Sequence, residues 1–148
     1  MNPLVERVLG PMLTVHQWLY EHSDGRIGAT LGGRPMLLLR TVGRRTGQPR
    51  PAALLYVRDG DAYVVIASNG GAPAHPDWYR NLVDHPDAEV IVAGVTTVVR
   101  AETVSGAERE RLWQNALHSY GGYAGYQART TREIPVVRLV PVASPKRS

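Results

Sequence analysis

Two tight turns between short apolar segments constrain the fold of this chain more than any other feature of its sequence. Asp59-Gly60-Asp61 separates segments 51–58 and 62–68, and Gly94 follows segment 88–93 in the same way. Asp-Gly between apolar residues is a strong signal for a β-hairpin. The sequence therefore predicts two antiparallel hairpins, and it lacks the alternation of strands and helices that a Rossmann fold requires.

Further strands and peripheral helices surround these hairpins. Apolar segments 36–42, 95–103 and 134–140 bring the predicted number of strands to about six. A helix is predicted over residues 77–84, and another after Ser105-Gly106-Ala107-Glu108, which matches a capping box. The predicted fold class is α+β, with a mainly antiparallel, barrel-like sheet and peripheral helices.

The whole chain, residues 1–148, is predicted to form one domain, because its length fits a single core. Residues 1–24 are predicted to be a helical segment and residues 143–148 a loose tail. The apolar residues of segment 4–13 recur at helical spacing, so this segment could rest against a membrane or cover the barrel. No apolar run approaches the roughly 20 residues of a membrane span and no signal peptide is visible, so a cytoplasmic protein is expected.

Charge and residue usage narrow the classes of function. Lysine and arginine number 17 against 13 acidic residues, a net charge of +4 that favours an anionic partner. The absence of cysteine excludes a disulfide framework, a thiolate metal site and a cysteine nucleophile. The five histidines do not have metal-ligand spacing, so no metal site is predicted. No helix-turn-helix or basic helical stripe supports nucleic-acid binding.

The first candidate site is an arginine-rich turn. From Arg40 to Arg58 there are five arginines and no carboxylate, and Gly43 and Gly47 lie between them. Arginines offer forked donors to phosphate or carboxylate oxygens, and glycines let backbone N–H groups approach a ligand. The alternative is a solvated basic end of a hairpin.

Two further segments carry candidate polar groups. Ser68 follows a predicted strand and precedes two glycines, so it could bond the edge of a ring, or merely its own turn. Tyr120, Tyr123 and Tyr126 are spaced three apart, which on a helix places them on one face. Their phenols could line a pocket and donate a proton, or they could form a packing surface.

In this order, the three stretches resemble the deazaflavin-dependent nitroreductase and quinone reductase family, whose members use reduced coenzyme F420. The resemblance runs from about residue 25 to residue 142. Its most specific parts are segments 41–50 (TVGRRTGQPR), 68–82 (SNGGAPAHPDWYRNL) and 132–137 (REIPVV). The resemblance implies a split β-barrel like that of flavin-binding oxidoreductases, which agrees with the predicted hairpins.

The resemblance also implies a set of site residues. Ser68, Tyr120, Tyr123 and Tyr126 are predicted to be catalytic from their positions in the sequence. The residues implied to bind coenzyme F420 are Arg44, Arg45, Thr46, Arg50, Pro51, Ala52, Ala53, Leu54, Leu55, Tyr56, Ile66, Ala67, Ser68, Asn69, Asp77, Trp78, Tyr79, Arg80, Asn81 and Tyr123. Arg45 and Asn69 replace lysines of the family pattern, and Leu55 stands where a tyrosine can occur, which puts nitro-prodrug activation in doubt.

The implied function is transfer of a hydride from reduced coenzyme F420 to an electron-poor small molecule, such as a quinone, a nitroaromatic or an activated enone. The alternative is a non-catalytic flavin or deazaflavin carrier on the same barrel, and a nucleic-acid-binding module is the third reading. An endogenous quinone is the preferred acceptor. The sequence does not determine the oligomeric state.

Overall fold

A computed structural model describes residues 30–31 and 34–142 of the chain. The predicted helical segment 1–24 and the predicted tail 143–148 lie outside these residues. Within them, no helix is both long enough and apolar enough to cross a membrane.

The described residues form strands, three α-helices and a short 3-10 turn. The strands are β1 (Thr30–Leu31), β2 (Arg34–Val42), β3 (Pro49–Leu55), β4 (Val57–Asp59), β5 (Ala62–Ile66), β6 (Asp87–Val92), β7 (Val95–Thr103) and β8 (Val136–Pro141). The helices are α1 (Asp77–Asp84), α2 (Gly106–Ser119) and α3 (Gly122–Ala128), and the 3-10 turn is Asn69–Gly71. Both predicted hairpins are present, as β4–β5 and β6–β7.

All strand pairs are antiparallel, and together they make one curled sheet. Its order is β2, β6, β7, β8, β5 and β4, while β3 and β1 both pair with β2. The break between β3 and β4 falls at Tyr56, where the chain leaves β2 and joins β5. One bent segment therefore contacts both ends of the sheet, which curls it into a split barrel, and the predicted α+β fold class is confirmed.

The described residues contain eight strand segments, against about six predicted from the sequence. One addition is the two-residue β1. The other arises because the predicted strand 51–58 divides at Tyr56, before which the chain pairs with β2 and after which it pairs with β5. This change of partner depends on tertiary pairing rather than on local sequence.

The barrel interior is the main core. It contains Leu37, Leu39, Val65, Val90, Val99, Val137 and Leu139, each at most 1% exposed. Side chains of this size contribute roughly 1.5–3 kcal/mol each when fully buried. Helix α1 packs against this core through Leu82 and Trp78, and this contact positions α1 beside the end of β2.

A second core lies on the outer face of β5 and β8. Val64, Ile66 and Val136 face outward there and pack against Leu112 and Trp113 of α2. Tyr123 of α3 belongs to the same cluster and is 7% exposed. This packing holds α2 and α3, and with them the predicted tyrosine face, against the barrel.

Helix α2 begins where the sequence predicts, but its predicted capping box does not form. The side chain of Ser105 makes no capping hydrogen bond. The Glu108 carboxylate instead accepts hydrogen bonds from Arg111 at 2.8 Å and Arg138 at 3.1 Å. Two guanidinium groups compete better for a carboxylate than one backbone N–H does, because their hydrogen bonds are charge-assisted on both sides. The ion pairs of Arg111 and Arg138 also include Asp59, so they tie α2 to the β4–β5 hairpin.

Candidate functional site

An open cavity of about 430 Å³ lies where the end of β2, the turn that follows it and the start of β3 meet α1. Three of its lining residues are arginines and one is an aspartate. The lining residues are Gly43, Arg44, Arg45, Thr46, Arg50, Pro51, Ala52, Asp77, Trp78 and Asn81. The predicted basic turn and the start of the predicted helix 77–84 therefore face one another across this cavity.

The turn between β2 and β3 is closed by its own backbone. Gly43 N–H donates to the Gln48 carbonyl at 2.8 Å, and Gly47 N–H donates to the Gly43 carbonyl at 2.7 Å. A Cβ atom at Gly43 would lie 3.0 Å from Thr46 Oγ1 and 3.1 Å from the Gln48 carbonyl oxygen. Close approach of the backbone is thus what glycine provides at position 43.

A buried hydrogen-bond network fixes this turn to α1. Asn81, only 3% exposed, accepts through Oδ1 from Arg44 N–H at 3.2 Å and from Arg44 Nη1 at 2.9 Å. Its Nδ2 donates to Thr41 Oγ1 at 3.0 Å. The Thr41 hydroxyl in turn donates to the Arg50 carbonyl oxygen at 3.3 Å. Sequence reasoning missed Thr41, whose only signal is a hydroxyl at the buried end of an apolar strand.

The arginines of the cavity differ in what they contact. Arg44 is 17% exposed in its side chain and pairs with Asp77, with Nη2 3.2 Å from Oδ1. Arg45 and Arg50 are exposed, and neither guanidinium has an ion pair or hydrogen bond to any residue in the described part of the chain. Arg44 is therefore held by its contacts with Asp77 and Asn81, while the guanidiniums of Arg45 and Arg50 are available to bind an anion.

The loop of residues 67–75 connects β5 to α1 and carries Ser68. Asn69, Gly70 and Gly71 have φ values of 47°, 63° and 81°. Asn69 Nδ2 donates to the Ala74 carbonyl at 3.0 Å. The guanidinium of Arg132 also binds this loop, at the carbonyl oxygens of Ala67, Ser68 and Ala72. Arg132 belongs to a segment that the sequence singles out, but its role was not predicted, since it depends on a contact across 64 residues.

The three predicted tyrosines do come together. The hydroxyls of Tyr120 and Tyr126 are 2.8 Å apart, and the ring of Tyr123 lies beneath, with its centroid 4.9 Å from that of Tyr120. Burial and the hydrogen bond to Tyr120 raise the pKa of Tyr126 to about 12. Burial also raises the pKa of Tyr123. Tyr123 and Tyr126 are therefore protonated at neutral pH.

The tyrosines lie away from the arginine-lined cavity, beside a gap of about 10 Å³. Four predicted site residues line this gap, namely Leu55, Tyr56, Ile66 and Tyr123. The strand β3 runs from the cavity at Arg50 to the gap at Tyr56, a distance of roughly 20 Å at about 3.3 Å per residue. Only an elongated ligand could contact both places.

The remaining predicted residues line neither space. Ala53 packs against the outer cluster of Met36, Leu38 and Ile91, and Leu54 packs against the barrel core. The others are Ala67, Ser68, Asn69, Tyr79, Arg80, Tyr120 and Tyr126. Part of the predicted set therefore lies at the basic cavity, part at the gap beside Tyr123 and part in the loop 67–75, and the rest lies outside all three places.

The fold defines the class of protein as a split antiparallel barrel, with an arginine-lined cavity beside it. Residues 12–141 match the family model described as F420H(2)-dependent quinone reductase. The chain belongs to this family. It is therefore an oxidoreductase, and its cofactor is reduced coenzyme F420.

Individual relatives agree with this family. An F420H(2)-dependent quinone reductase of Mycobacterium tuberculosis (strain H37Rv) is 44% identical over 140 residues, which cover 91% of this chain and 94% of the relative. A solved F420-H2 dependent reductase is 36% identical with a TM-score of 0.67, covering 72% of this chain and 94% of that one. A second solved structure, described as a domain-swapped dimer, is 32% identical with a TM-score of 0.68, covering 87% of this chain and 98% of that one.

Proposed function

We propose that the arginine-lined cavity binds the anionic tail of reduced coenzyme F420, which carries a phosphodiester and glutamate. The single observation that supports this is the pair of unengaged guanidiniums, Arg45 and Arg50, at a cavity whose other arginine is fixed by Asp77 and Asn81. Forked guanidinium donors match both phosphate and carboxylate oxygens. The residues present therefore fit the group.

The ring of the coenzyme is proposed to lie along β3, toward Leu55 and Tyr56. The roughly 20 Å between Arg50 and Tyr56 suits a ligand with an anionic tail at one end and a flat ring at the other. The loop 67–75 follows β5, whose residue Ile66 lines the same gap. Ser68 is then within the part of the barrel where the ring would lie, and its hydroxyl is proposed to orient the reactive edge.

When bound, the reduced coenzyme supplies a hydride from C5 of its ring to the acceptor. The protein's task is to orient both molecules and to deliver a proton to the product. In the Tyr120–Tyr126 pair one hydroxyl donates to the other, so one phenolic proton stays free to bond a further acceptor. Burial and the hydrogen bond to Tyr120 raise the pKa of Tyr126 to about 12, so the Tyr126 hydroxyl keeps its proton at neutral pH and can donate a hydrogen bond to the product.

The acceptor is proposed to be a quinone, with nitroaromatics and activated enones as weaker substrates. The family and the relatives named for quinone reduction support the first choice. The amphipathic segment 4–13, which lies outside the described residues, is proposed to contact the membrane in which such a quinone dissolves. Co-sedimentation of the full chain with lipid vesicles would test that contact, and no binding at low salt would remove it.

Replacing Arg45 or Arg50 with alanine is expected to weaken coenzyme binding about tenfold to a hundredfold. A hydrogen bond to a charged group contributes roughly 1.5–3 kcal/mol, which corresponds to that range of Kd. Folding should change little, because both side chains are exposed and unpaired within the described residues. Fluorescence titration with coenzyme F420 measures the affinity, and thermal unfolding measures the fold.

The matched control for these variants is Arg100→Ala. Arg100 is an exposed arginine on β7 that pairs with Asp87 at 3.0 Å. The Arg100→Ala variant therefore loses the same charge as the cavity variants while the cavity residues stay unchanged. Its coenzyme affinity should stay within about twofold of the parent, as expected for a distant surface charge screened by salt. Unchanged affinity in both cavity variants would reject the proposed site for the tail.

Replacing both Tyr120 and Tyr126 with phenylalanine is expected to lower turnover about a hundredfold, the low end of what a general acid contributes. Either hydroxyl alone can still donate, so the double variant removes the function while keeping both rings. Steady-state reduction of menadione measures turnover, and Tyr63→Phe, which removes the phenol of a partly buried tyrosine packed against the barrel core, is the control. A double variant with the parental rate would show that the phenols only pack and that water supplies the proton.

A further inference from the structure

The loop 67–75 contains a run of residues with an uncommon backbone conformation. Three consecutive residues, Asn69, Gly70 and Gly71, have positive φ. Glycine adopts this region readily, and asparagine is one of the few residues with a side chain that also visit it. Within the loop, Gly71 N–H donates to the Ser68 carbonyl at 2.9 Å and Ala72 N–H to the Asn69 carbonyl at 3.1 Å. Two glycines in succession leave the backbone of this segment many other conformations, so contacts from outside the loop are what select this one.

Arg132, which lies between α3 and β8, holds this loop with four hydrogen bonds. Its Nη2 donates to the Ser68 carbonyl at 2.7 Å and its Nε to the Ala72 carbonyl at 3.0 Å. Its Nη1 donates to the Ala67 carbonyl at 3.2 Å and lies 3.0 Å from His75 Nδ1. The planar guanidinium offers five N–H groups in a fixed fork, so four of them set the spacing of acceptors from residue 67 to residue 75.

Arg132 forms no ion pair with a carboxylate in the part of the chain that the structure describes. Among the residues of the described ranges, no acidic side chain lies within 4.0 Å of its guanidinium, and its partners are carbonyl oxygens and a histidine ring. Since His75 Nδ1 accepts from Arg132, the ring is in its neutral form. Burial and the nearby charges of Arg132 and Arg80 lower the pKa of His75, so the four-bond arrangement is complete at neutral pH.

We propose that Arg132 is a positioning residue for the hydride transfer, which acts by fixing the backbone at Ser68 so that the serine hydroxyl meets the coenzyme ring. The shortest of the four hydrogen bonds ends on the carbonyl of Ser68 itself. The inference rests on the proposed role of Ser68. A displacement of about 1 Å in a positioned group can lower a rate about a hundredfold, so the loss of this clamp should appear in kcat.

A double-mutant cycle with Ser68→Ala and Arg132→Gln tests this inference, because residues that act through one another have non-additive effects. Each single variant is expected to lower kcat for menadione reduction about tenfold, and the double variant should be within about twofold of the worse single variant. The Kd of coenzyme F420 should change less than about threefold in all three proteins, since the tail site is separate. Arg132→Lys, which keeps the charge but not the fork, should recover only part of the rate.

The outcomes separate the two proposals. If the two effects on kcat multiply to about a hundredfold, Ser68 contributes but Arg132 does not act through it, and the inference is overturned. If Ser68→Ala has the parental kcat, the role of Ser68 fails and the inference fails with it, while the cavity assignment still stands on the Arg45 and Arg50 titrations. Arg100→Gln is the control for removal of a charge, and Arg132→Lys takes the place of Arg132→Gln in the cycle if the glutamine variant does not fold.

Discussion

Replacing Gly71 with alanine is expected to lower the free energy of unfolding by about 3 kcal/mol. The φ of Gly71 is 81°, and left-handed backbone costs an alanine roughly 1–2 kcal/mol. A Cβ atom there would also lie 2.7 Å from the carbonyl oxygen and 3.1 Å from the Cα of Tyr126. These are backbone atoms that no change of rotamer can move, so overpacking adds about 1–3 kcal/mol. Urea-induced unfolding measures the difference.

The matched control is Gly60→Ala in the β4–β5 hairpin. Gly60 has a φ of 62° and nothing within 4 Å of its Cβ position. The Gly60→Ala variant therefore has the strain of left-handed backbone but no overpacking. It should lose about 1–2 kcal/mol. If Gly71→Ala lost no more than Gly60→Ala, helix α3 would not pack against the loop 67–75 as the structure has it. Gly71→Ala should also slow menadione reduction, because α3 carries Tyr126.

The barrel could be predicted from the sequence because its hairpins are local. Asp59-Gly60 fixes one turn within four residues, and the apolar segments on either side need no distant partner to be recognised as strands. The division of the segment 51–58 at Tyr56 could not be predicted. It occurs because β2 and β5 compete for the same stretch of chain, and that competition exists only in the folded barrel.

The sequence predicted a basic turn without distinguishing its arginines. In the structure these arginines differ in their contacts and in their exposure. Arg44 is fixed by Asn81 and Asp77, whereas Arg45 and Arg50 are exposed. The difference depends on α1 meeting the end of β2 across about 37 residues of sequence. Composition and spacing carry no information about such a contact, so the sequence could identify the turn but not the part each arginine plays.

The tyrosine face was predicted from a three-residue spacing on one helix. The three tyrosines do come together in the structure, but they do not all lie on the same helix. Tyr120 precedes α3 rather than lying on it, and its ring covers Gly122. A Cβ atom at position 122 would overlap the ring of Tyr120, so glycine is what lets Tyr120 fold back to bond Tyr126.

Replacing Asn81 with alanine is expected to lower the free energy of unfolding by about 2–3 kcal/mol and to weaken coenzyme binding more than tenfold. Asn81 is 3% exposed, and its amide satisfies Thr41 Oγ1 and two N–H groups of Arg44. A buried polar group that loses its partner costs roughly 1–3 kcal/mol, and more when it is charged. The binding loss follows because the turn that carries Arg45 would no longer be tied to α1.

The two effects of Asn81→Ala can be read separately, by urea-induced unfolding and by fluorescence titration with coenzyme F420. Asn115→Ala is the control, since Asn115 is exposed on α2 and should alter neither quantity by more than about 0.5 kcal/mol. A stability loss with parental affinity would show that the coenzyme orders the turn by itself. An Asn81→Ala protein as stable as its parent would mean that water replaces the amide, and that the network does not hold the cavity in shape.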